Sequence, residues 1–477
     1  MAKTLVEKKS GDLKNINIKN IRQHLIGLDK KVPLLDGSEV QYVNFDNAAS
    51  TPTFDFIYDK VGEYLEFYSN VHRGTGFKSM VSSWVYEKGR EIVAEFIDAD
   101  LDKNVIIFTK NSTEALNKLA RRYPFQRNDV VLTSLMEHHS NELPWRNRAF
   151  FDHVGLKPDG TLSIEDLKEK LKFYNGRVKL VAITGASNVT GYINPVYKIA
   201  KIAHDAGAEI LVDAAQIAPH RPIHMNNNGM EDIDYLVLSA HKMYAPFGVG
   251  VLVGSKSIFE IGDPSDVGGG VVDIVTLEEA YWTDLPEKEE AGTPDIIGVV
   301  ALTESIRMFQ AIGWEDIIEH EAKLTAHLLR RLKEIDKIII YGDADPANSH
   351  NRLGVVPFNM AGLSHALLAA ILSYEGGIGV RNGCFCAHTY VKEILKVKAE
   401  EARKLEEEIK RRDRSHLPGT VRASFGIYNA LEEVDRMCDL LEKISADGHK
   451  GKYILNPEKG EYMPEGFKIE VTDYLRL

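Results

Sequence analysis

A lysine and an aspartate follow two apolar segments, and their side chains could bind an aldehyde cofactor. Lys242 comes after the apolar segment that begins at Tyr235, and Asp213 ends an earlier one. A lysine amine can form a Schiff base with an aldehyde, and a carboxylate can keep a pyridine nitrogen protonated, so that the ring withdraws electrons. The pair predicts an enzyme that uses pyridoxal phosphate (PLP), with Lys242 as its Schiff-base residue. Gln216 follows Asp213 closely and could reach the ring oxygen.

Other polar residues follow predicted strands and could surround such a cofactor. Ser112 and Thr113 begin a predicted helix, whose free N–H groups form a cup suited to a phosphate. His138 follows another strand and could stack on the pyridine ring, while Asn188 follows a third and could hydrogen-bond the cofactor or the substrate. Each residue alone is more often structural, as a helix cap or a buried histidine. The prediction therefore depends on all of them sharing one edge of a sheet.

The segments that position these residues alternate between strand and helix patterns. The predicted strands are 104–109, 129–134, 180–185, 209–213, 234–240 and 249–254, with helical patterns at 112–122, 164–173 and 195–206. This alternation predicts an α/β protein with a mostly parallel sheet covered on both faces. Ligands of such sheets bind at the carboxyl ends of the strands. Asp213 and Lys242 are therefore expected at one rim.

The pattern changes after this region and predicts a second, smaller α+β domain at the C-terminal end. Its predicted helices are 296–312 and 314–335, and its predicted strands include 337–341 and 352–358. We divide the chain into an N-terminal segment, a large PLP-binding domain, a small domain and a C-terminal extension, at residues 1–40, 41–305, 306–447 and 448–477.

Two segments near the C-terminus have distinctive patterns. Residues 391–412 combine strong helix formers with mixed charge and predict one solvated helix, although a partner-docking role is also open. Residues 467–477 alternate between apolar and polar side chains, which favours an edge strand.

Composition indicates a globular protein with no broad anionic partner. The 477 residues carry a net charge of −12, which argues against nucleic-acid and anionic-membrane surfaces. No apolar stretch could span a bilayer, and the first ten residues lack the apolar core of a signal peptide, so we expect a cytoplasmic protein. Its three cysteines, Cys384, Cys386 and Cys438, match no disulfide framework or zinc motif, and we expect no metal.

Ten motifs, taken in order, resemble the class V aminotransferases, in the group of cysteine desulfurases and selenocysteine lyases. The motifs are 44–50, 70–74, 111–117, 137–141, 187–191, 212–216, 239–242, 291–294, 381–387 and 421–424. The match covers roughly residues 41–445, and it is much more specific for the family than for the substrate. It implies the fold type I of PLP-dependent transferases and a homodimer with shared active sites.

The resemblance also implies roles for single residues. Those implied to hold the phosphate are Thr113, Ser239 and His241, together with Thr293 from the neighbouring subunit. Arg422 would bind the substrate carboxylate, with Arg381 nearby. A guanidinium suits this role on chemical grounds, because it can pair with both carboxylate oxygens.

Cys386 lies where family members carry the cysteine that accepts sulfur. The resemblance implies a cysteine desulfurase with Lys242, Cys386 and His138 as its catalytic residues. Lys242 would remove the α-proton of L-cysteine, and the Cys386 thiolate would attack the substrate sulfur, giving L-alanine and an enzyme persulfide. With the additional Cys384, residues 383–386 read Gly-Cys-Phe-Cys, a pattern that resembles molybdenum-cofactor sulfurases. Cys384 could relay sulfur, form a disulfide with Cys386 or be structural.

Three other functions stay open. The first is a selenocysteine lyase, and the second is a PLP enzyme that uses no protein thiol, such as a C–S lyase, an epimerase or an aminotransferase. The third is a binding scaffold without catalysis, which the full set of cofactor residues disfavours. Cys386→Ala separates a desulfurase from a thiol-independent enzyme, because only the former would lose persulfide and alanine formation. The expected partners are L-cysteine, a sulfur-acceptor protein and a second copy of the chain.

Overall fold

The computed structural model describes residues 13–71 and 74–476. Its helices are α1 (Asp55–Leu65), α2 (Phe77–Ile97), α3 (Ser112–Arg122), α4 (Ile164–Tyr174), α5 (Val196–Asp205), α6 (Lys256–Glu260), α7 (Ile296–Ile312), α8 (Trp314–Glu334), α9 (His365–Gly376), α10 (His388–Ile394), α11 (Ala399–Lys410) and α12 (Leu431–Asp447). Its first strands are β1 (Lys31–Pro33), β2 (Glu39–Gln41), β3 (Val43–Asn44), β4 (Asn104–Thr109), β5 (Val130–Ser134), β6 (Phe150–Val154), β7 (Val178–Thr184), β8 (Glu209–Asp213), β9 (Tyr235–Ser239) and β10 (Gly250–Ser255). The remaining strands are β11 (Val272–Val275), β12 (Ala280–Trp282), β13 (Ile338–Ile340), β14 (Val355–Met360), β15 (Ile378–Gly379), β16 (Arg381–Gly383), β17 (Thr420–Ser424), β18 (Tyr453–Asn456) and β19 (Glu461–Pro464).

A seven-stranded sheet in the order β4–β10–β9–β8–β7–β5–β6 forms the centre of the molecule. The five strands from β9 to β6 run parallel, whereas β10 is antiparallel to both of its neighbours. The α/β class and the mostly parallel sheet are confirmed. Strand β6 was not predicted, because it lies at the edge of the sheet, is only partly buried and therefore has no continuous apolar run.

The central strands are apolar on both faces because each face packs in its own core. In β9, Leu236 and Leu238 belong to one apolar cluster, while Tyr235 and Val237 belong to another that includes residues of α3. Successive side chains of a strand point to opposite faces, so a strand covered on both sides needs an unbroken apolar run. Packing on both faces holds the strands in place. It therefore also fixes the position of the polar site residues that follow the strand ends.

A second sheet, β13–β14–β17–β16, is antiparallel throughout and packs with α8, α9 and α12. This arrangement agrees with a smaller α+β unit, while the exact domain boundaries stay a prediction. In this sheet β16 places Arg381 directly opposite Arg422 of β17. The second sheet therefore carries both arginines that the resemblance assigns to the substrate.

Two predictions near the C-terminus are wrong. Residues 391–412 form parts of two helices, α10 and α11, because the chain adopts a left-handed conformation at Lys396 (φ 54°) that ends α10. The expected strand at 467–477 is replaced by an earlier hairpin of β18 and β19, whose strand β19 packs against α9. A short 3₁₀ turn, Val471–Asp473, lies within the predicted strand, and Leu477 is outside the described residues.

In the described part of the chain no single helix is long and apolar enough to cross a membrane. Helices α7 and α8, which are bent by 84° relative to each other, are together long and apolar enough, by length and composition alone.

Candidate active site

A cavity of about 260 Å³ lies at the carboxyl ends of the parallel strands, next to the β16 loop. Eleven of the residues singled out from the sequence line it: Ser112, Thr113, His138, Asn188, Asp213, Gln216, His241, Lys242, Arg381, Cys386 and Arg422. A larger cavity of about 510 Å³ lies between α12 and the C-terminal hairpin and contains none of them. The smaller cavity is therefore the candidate active site.

Lys242 and Asp213 lie side by side at this cavity because they follow neighbouring strands. Asp213 ends β8, and Lys242 ends the 3₁₀ turn that follows β9. Burial lowers the pKa of the Lys242 amine to about 8, and the charge of Asp213 acts in the opposite direction. Burial also raises the pKa of Asp213, while the Ala215 N–H, which donates to its Oδ1 at 3.0 Å, acts to lower it. A lysine with a lowered pKa offers more neutral amine for reaction with an aldehyde.

The N-terminus of α3 supplies donors that fit a phosphate. Asn111 caps the helix, because its Oδ1 accepts from the Glu114 N–H at 3.0 Å, and Ser112 and Thr113 follow at the cavity. The Thr113 hydroxyl lies 2.7 Å from that of Ser140. Gly250 of β10 approaches this turn so closely that a Cβ there would lie 2.6 Å from the Asn111 Cα. The hydroxyls and the helix terminus together match the donor set that a phosphate requires.

Two other residues predicted at the phosphate differ in their placement. His241 lines the cavity, and burial lowers the pKa of its imidazole to about 4. Ser239 does not belong to the lining, but its Oγ is buried and has no hydrogen-bond partner among the described residues. The structure therefore places His241 at the cavity but not Ser239.

His138, Asn188 and Gln216 are oriented by backbone contacts. The Ser140 N–H donates to His138 Nδ1 at 3.1 Å, and burial, helped by the charge of Lys242, lowers the pKa of His138 to about 3. His138 is therefore a neutral ring, as stacking on a pyridine would need. Asn188 Nδ2 donates to Phe385 O at 2.8 Å, and Gln216 Nε2 donates to Ala48 O at 2.7 Å.

Arg422 lines the cavity and is almost completely buried. Its Nη1 donates to Asn188 O at 2.9 Å, and its Nη2 donates to Asp46 Oδ1 at 2.8 Å. Burial lowers the pKa of its guanidinium, whereas Asp46 acts to raise it. The guanidinium also lies over the ring of Phe385, 4.7 Å from its centre. Arg422 therefore offers a fixed positive charge beside the thiol loop.

The loop that carries Cys386 has an unusual backbone. Phe385 and Cys386 both adopt left-handed conformations, with φ of 52° and 55°, which cost energy for residues with side chains. The His139 N–H, which donates to Cys386 O at 2.8 Å, and the contacts of Phe385 hold this shape. Cys386 is exposed at the cavity, so its thiol is accessible to a substrate.

The other cysteines differ from Cys386. Cys384 Sγ donates to Pro418 O at 3.0 Å, and burial raises its pKa to about 11. Burial likewise raises the pKa of Cys438, in α12, to about 12. Both side chains are therefore kept as thiols, which disfavours a nucleophilic role for Cys384.

Sequence reasoning missed two acidic residues. Glu137 is buried, and its Oε1 accepts from Ser134 Oγ at 2.6 Å and from the Thr184 N–H at 3.0 Å, so it ties the end of β5 to the end of β7. Asp46 is the partner of Arg422. Both lie within motifs 137–141 and 44–50, but their roles depend on contacts with distant segments.

One motif residue lies apart from this site, and the structure does not describe two others. Thr293 lines a different cavity, of about 270 Å³, and its proposed reach into a neighbouring subunit stays a prediction. His72 and Arg73, which belong to the motif 70–74, lie outside the described residues.

Comparison with known proteins agrees with this fold. The model of the aminotransferase class V family matches residues 43–437. The chain therefore belongs to the class V aminotransferase family.

Within this family the chain is most informatively compared with three proteins. It is 35% identical to a probable cysteine desulfurase of Halalkalibacterium halodurans, over 87% of this chain and 97% of that protein. A solved cysteine desulfurase of Thermococcus onnurineus NA1 is 34% identical, with a TM-score of 0.74 over 85% of this chain and 94% of that one. The cysteine desulfurase CsdA of Escherichia coli is 26% identical, with a TM-score of 0.73 over 90% of this chain and 98% of that one.

Proposed function

We propose that this protein is a PLP-dependent cysteine desulfurase, which converts L-cysteine into L-alanine and transfers the sulfur to Cys386. One observation carries the proposal: the exposed thiol of Cys386 shares a cavity with the Lys242–Asp213 pair. The similarity to proteins named cysteine desulfurase supports it.

The cavity fits PLP on chemical grounds. Lys242 would anchor the aldehyde, Asp213 would face the pyridine nitrogen, and Thr113, with the N-terminus of α3, would hold the phosphate. His138 is the neutral ring available for stacking. When bound, PLP withdraws electrons from the α-carbon of an amino acid and so makes its α-proton acidic.

Three residues of the chain carry out the remaining steps. Arg422 binds the α-carboxylate, and Lys242 Nζ removes the α-proton, for which a pKa near the working pH is favourable. Cys386 Sγ attacks the sulfur of L-cysteine. A sulfur–sulfur bond forms while the bond from sulfur to the β-carbon breaks, and its electron pair stays with the carbon fragment, which takes up a proton and leaves as L-alanine.

We also propose a homodimer. The exposed side chains Phe77, Met80 and Trp84 recur at helical spacing on α2, so they form one apolar face. An exposed apolar face of this kind is typical of a protein–protein contact. A second copy of the chain is the preferred partner for this face, because Thr293 lies outside the site of its own chain.

We further propose a cytoplasmic location, where the three free cysteines would stay reduced.

The central test compares wild type with two cysteine variants after incubation with L-cysteine. Cys386→Ala is expected to lose both the bound sulfur and sustained L-alanine formation. Cys384→Ala is the matched control, because it removes a nearby thiol that donates a hydrogen bond to Pro418 O. This variant should retain both the bound sulfur and L-alanine formation. If Cys386→Ala still releases sulfide, with pyruvate and ammonia in place of L-alanine, the protein is a thiol-independent C–S lyase. Parallel assays with L-selenocysteine measure whether that amino acid is the better substrate.

A further inference from the structure

The guanidinium of Arg422, assigned above to the substrate carboxylate, is already paired with an acid of its own chain. Asp46 Oδ1 lies 2.8 Å from Arg422 Nη2, and Asp46 Oδ2 lies 3.7 Å from Arg381 Nη1. One carboxylate therefore stands between two arginines. The side chain of Arg422 is 2% exposed, that of Asp46 22% and that of Arg381 59%.

The strand register explains why an acid is needed at this place. Arg381 and Arg422 are directly opposite each other on the antiparallel strands β16 and β17. Like charges in directly opposite positions destabilise a sheet, and a buried guanidinium without a counter-ion is costly. Asp46 offsets one of these two positive charges. Its backbone is fixed, since its N–H donates to Asn44 Oδ1 at 3.0 Å, so only its side chain is free to change partner.

The same geometry obstructs a substrate carboxylate. An arginine can hold both oxygens of a carboxylate along either of two edges, and Nη2 belongs to both. Here Nη2 is bonded to Asp46 and Nη1 to Asn188 O, while the buried Nε has no hydrogen-bond partner among the described residues. A carboxylate that approaches Nε and Nη2 therefore meets Asp46, and two carboxylates at one guanidinium repel each other.

We propose that Asp46 is a resident counter-ion, which the substrate carboxylate replaces on Arg422, and that Arg381 receives the displaced Asp46 carboxylate. The inference rests on the proposed role of Arg422. After the exchange each arginine has its own carboxylate, so no charge is left unpaired. Asp46 would thereby determine specificity, because only a ligand with a carboxylate in the right position can displace it. Arg381, which is exposed, has the space to follow the moving side chain.

The experiment measures the equilibrium affinity of the PLP-loaded enzyme for L-alanine, the product, by calorimetry. L-Alaninamide, which has no carboxylate, is the control ligand. Asp46→Asn removes the competing charge and should tighten L-alanine binding by about tenfold, with little effect on L-alaninamide. Arg381→Gln should weaken L-alanine binding by about threefold or more in wild type, yet it should have no effect in the Asp46→Asn background.

The outcomes separate the alternatives. If Asp46→Asn weakens L-alanine binding in a folded enzyme, Asp46 only supports Arg422, and the exchange is wrong. If Arg381→Gln weakens L-alanine binding equally in wild type and in the Asp46→Asn background, Arg381 contacts the substrate directly. The proposed movement of the Asp46 carboxylate to Arg381 is then wrong. Should Asp46→Asn fail to fold, Arg381→Gln alone decides, because unchanged L-alanine affinity in that variant contradicts the proposal.

A last variant separates the exchange from the assignment on which it depends. Arg422→Gln should lose the preference for L-alanine over L-alaninamide. If it keeps that preference, the carboxylate binds elsewhere, and the proposed role of Arg422 fails together with the exchange. If Arg422→Gln loses the preference but Asp46→Asn does not tighten binding, only the exchange fails.

Discussion

The amine of Lys242 is held closer to its neutral form than that of an ordinary lysine. Burial lowers its pKa from 10.5 to about 8, although Asp213 acts in the opposite direction. Only the neutral amine reacts with an aldehyde, and the neutral fraction rises with pH until the pKa is passed. We therefore expect the rate of PLP attachment to the apoprotein to rise with pH and to level off above about pH 8, as followed by absorbance.

An additional variant sharpens this measurement. Asp213→Asn removes the carboxylate that raises the pKa of Lys242, so the rate should level off at a lower pH than in wild type. A wild-type rate that continues to rise to the ordinary lysine pKa of 10.5 would contradict the account.

Several of the site residues could be predicted from the sequence, because their signal is local. Lys242 and Asp213 directly follow apolar segments that become neighbouring strands, so the sheet brings them together. Asp46 could not be given a role, since its partner Arg422 is 376 positions away and no local pattern links them. Ser239 shows the opposite case: its motif was recognised, but its side chain does not line the cavity.

At the scale of elements, an ion pair secures the segment that carries Thr293. Arg90 of α2 binds both oxygens of Glu290, each at 2.8 Å, and the Phe108 N–H of β4 donates to the same carboxylate at 2.6 Å. Both side chains are buried. Arg90→Ala would leave the buried Glu290 charge without its cation, so we expect a loss of about 3–5 kcal/mol in the free energy of unfolding.

Denaturant unfolding measures this loss. Lys88→Ala is the matched control on the same helix, because it breaks only the exposed pair with Glu91 and should leave the unfolding midpoint unchanged. Equal midpoints for Arg90→Ala and wild type would show that the ion pair does not secure the segment.

The predicted elements agree with the structure where their patterns are strong. The bounds of β4, β8 and α3 are those read from the sequence, because each has a clear apolar run or a helix cap. Residues 391–412 were predicted as one helix, since helix propensity does not reveal the left-handed turn at Lys396. The edge strand β6 was missed because half-exposed strands have no continuous apolar pattern.

At the scale of the whole molecule, the apolar face of α2 should hold two copies together. Trp84 is 66% exposed on this face, and Trp84→Glu would place a charge in the proposed contact. We expect this variant to be monomeric at concentrations where wild type is a dimer, as measured by light scattering. Phe173→Glu, at a 78% exposed position of α4, is the control and should stay dimeric. A monomeric wild type, or a dimeric Trp84→Glu, would refute the proposed interface.

The most direct test of the central claim locates the sulfur after one turnover. The PLP-loaded enzyme is mixed with L-cysteine labelled at sulfur, and its peptides are then analysed by mass spectrometry under non-reducing conditions. The account predicts one labelled sulfur atom bound to Cys386 and none on Cys384 or Cys438, in an amount equal to the L-alanine formed. Labelled free sulfide released together with pyruvate and ammonia, while Cys386 stays unmodified, would contradict the account.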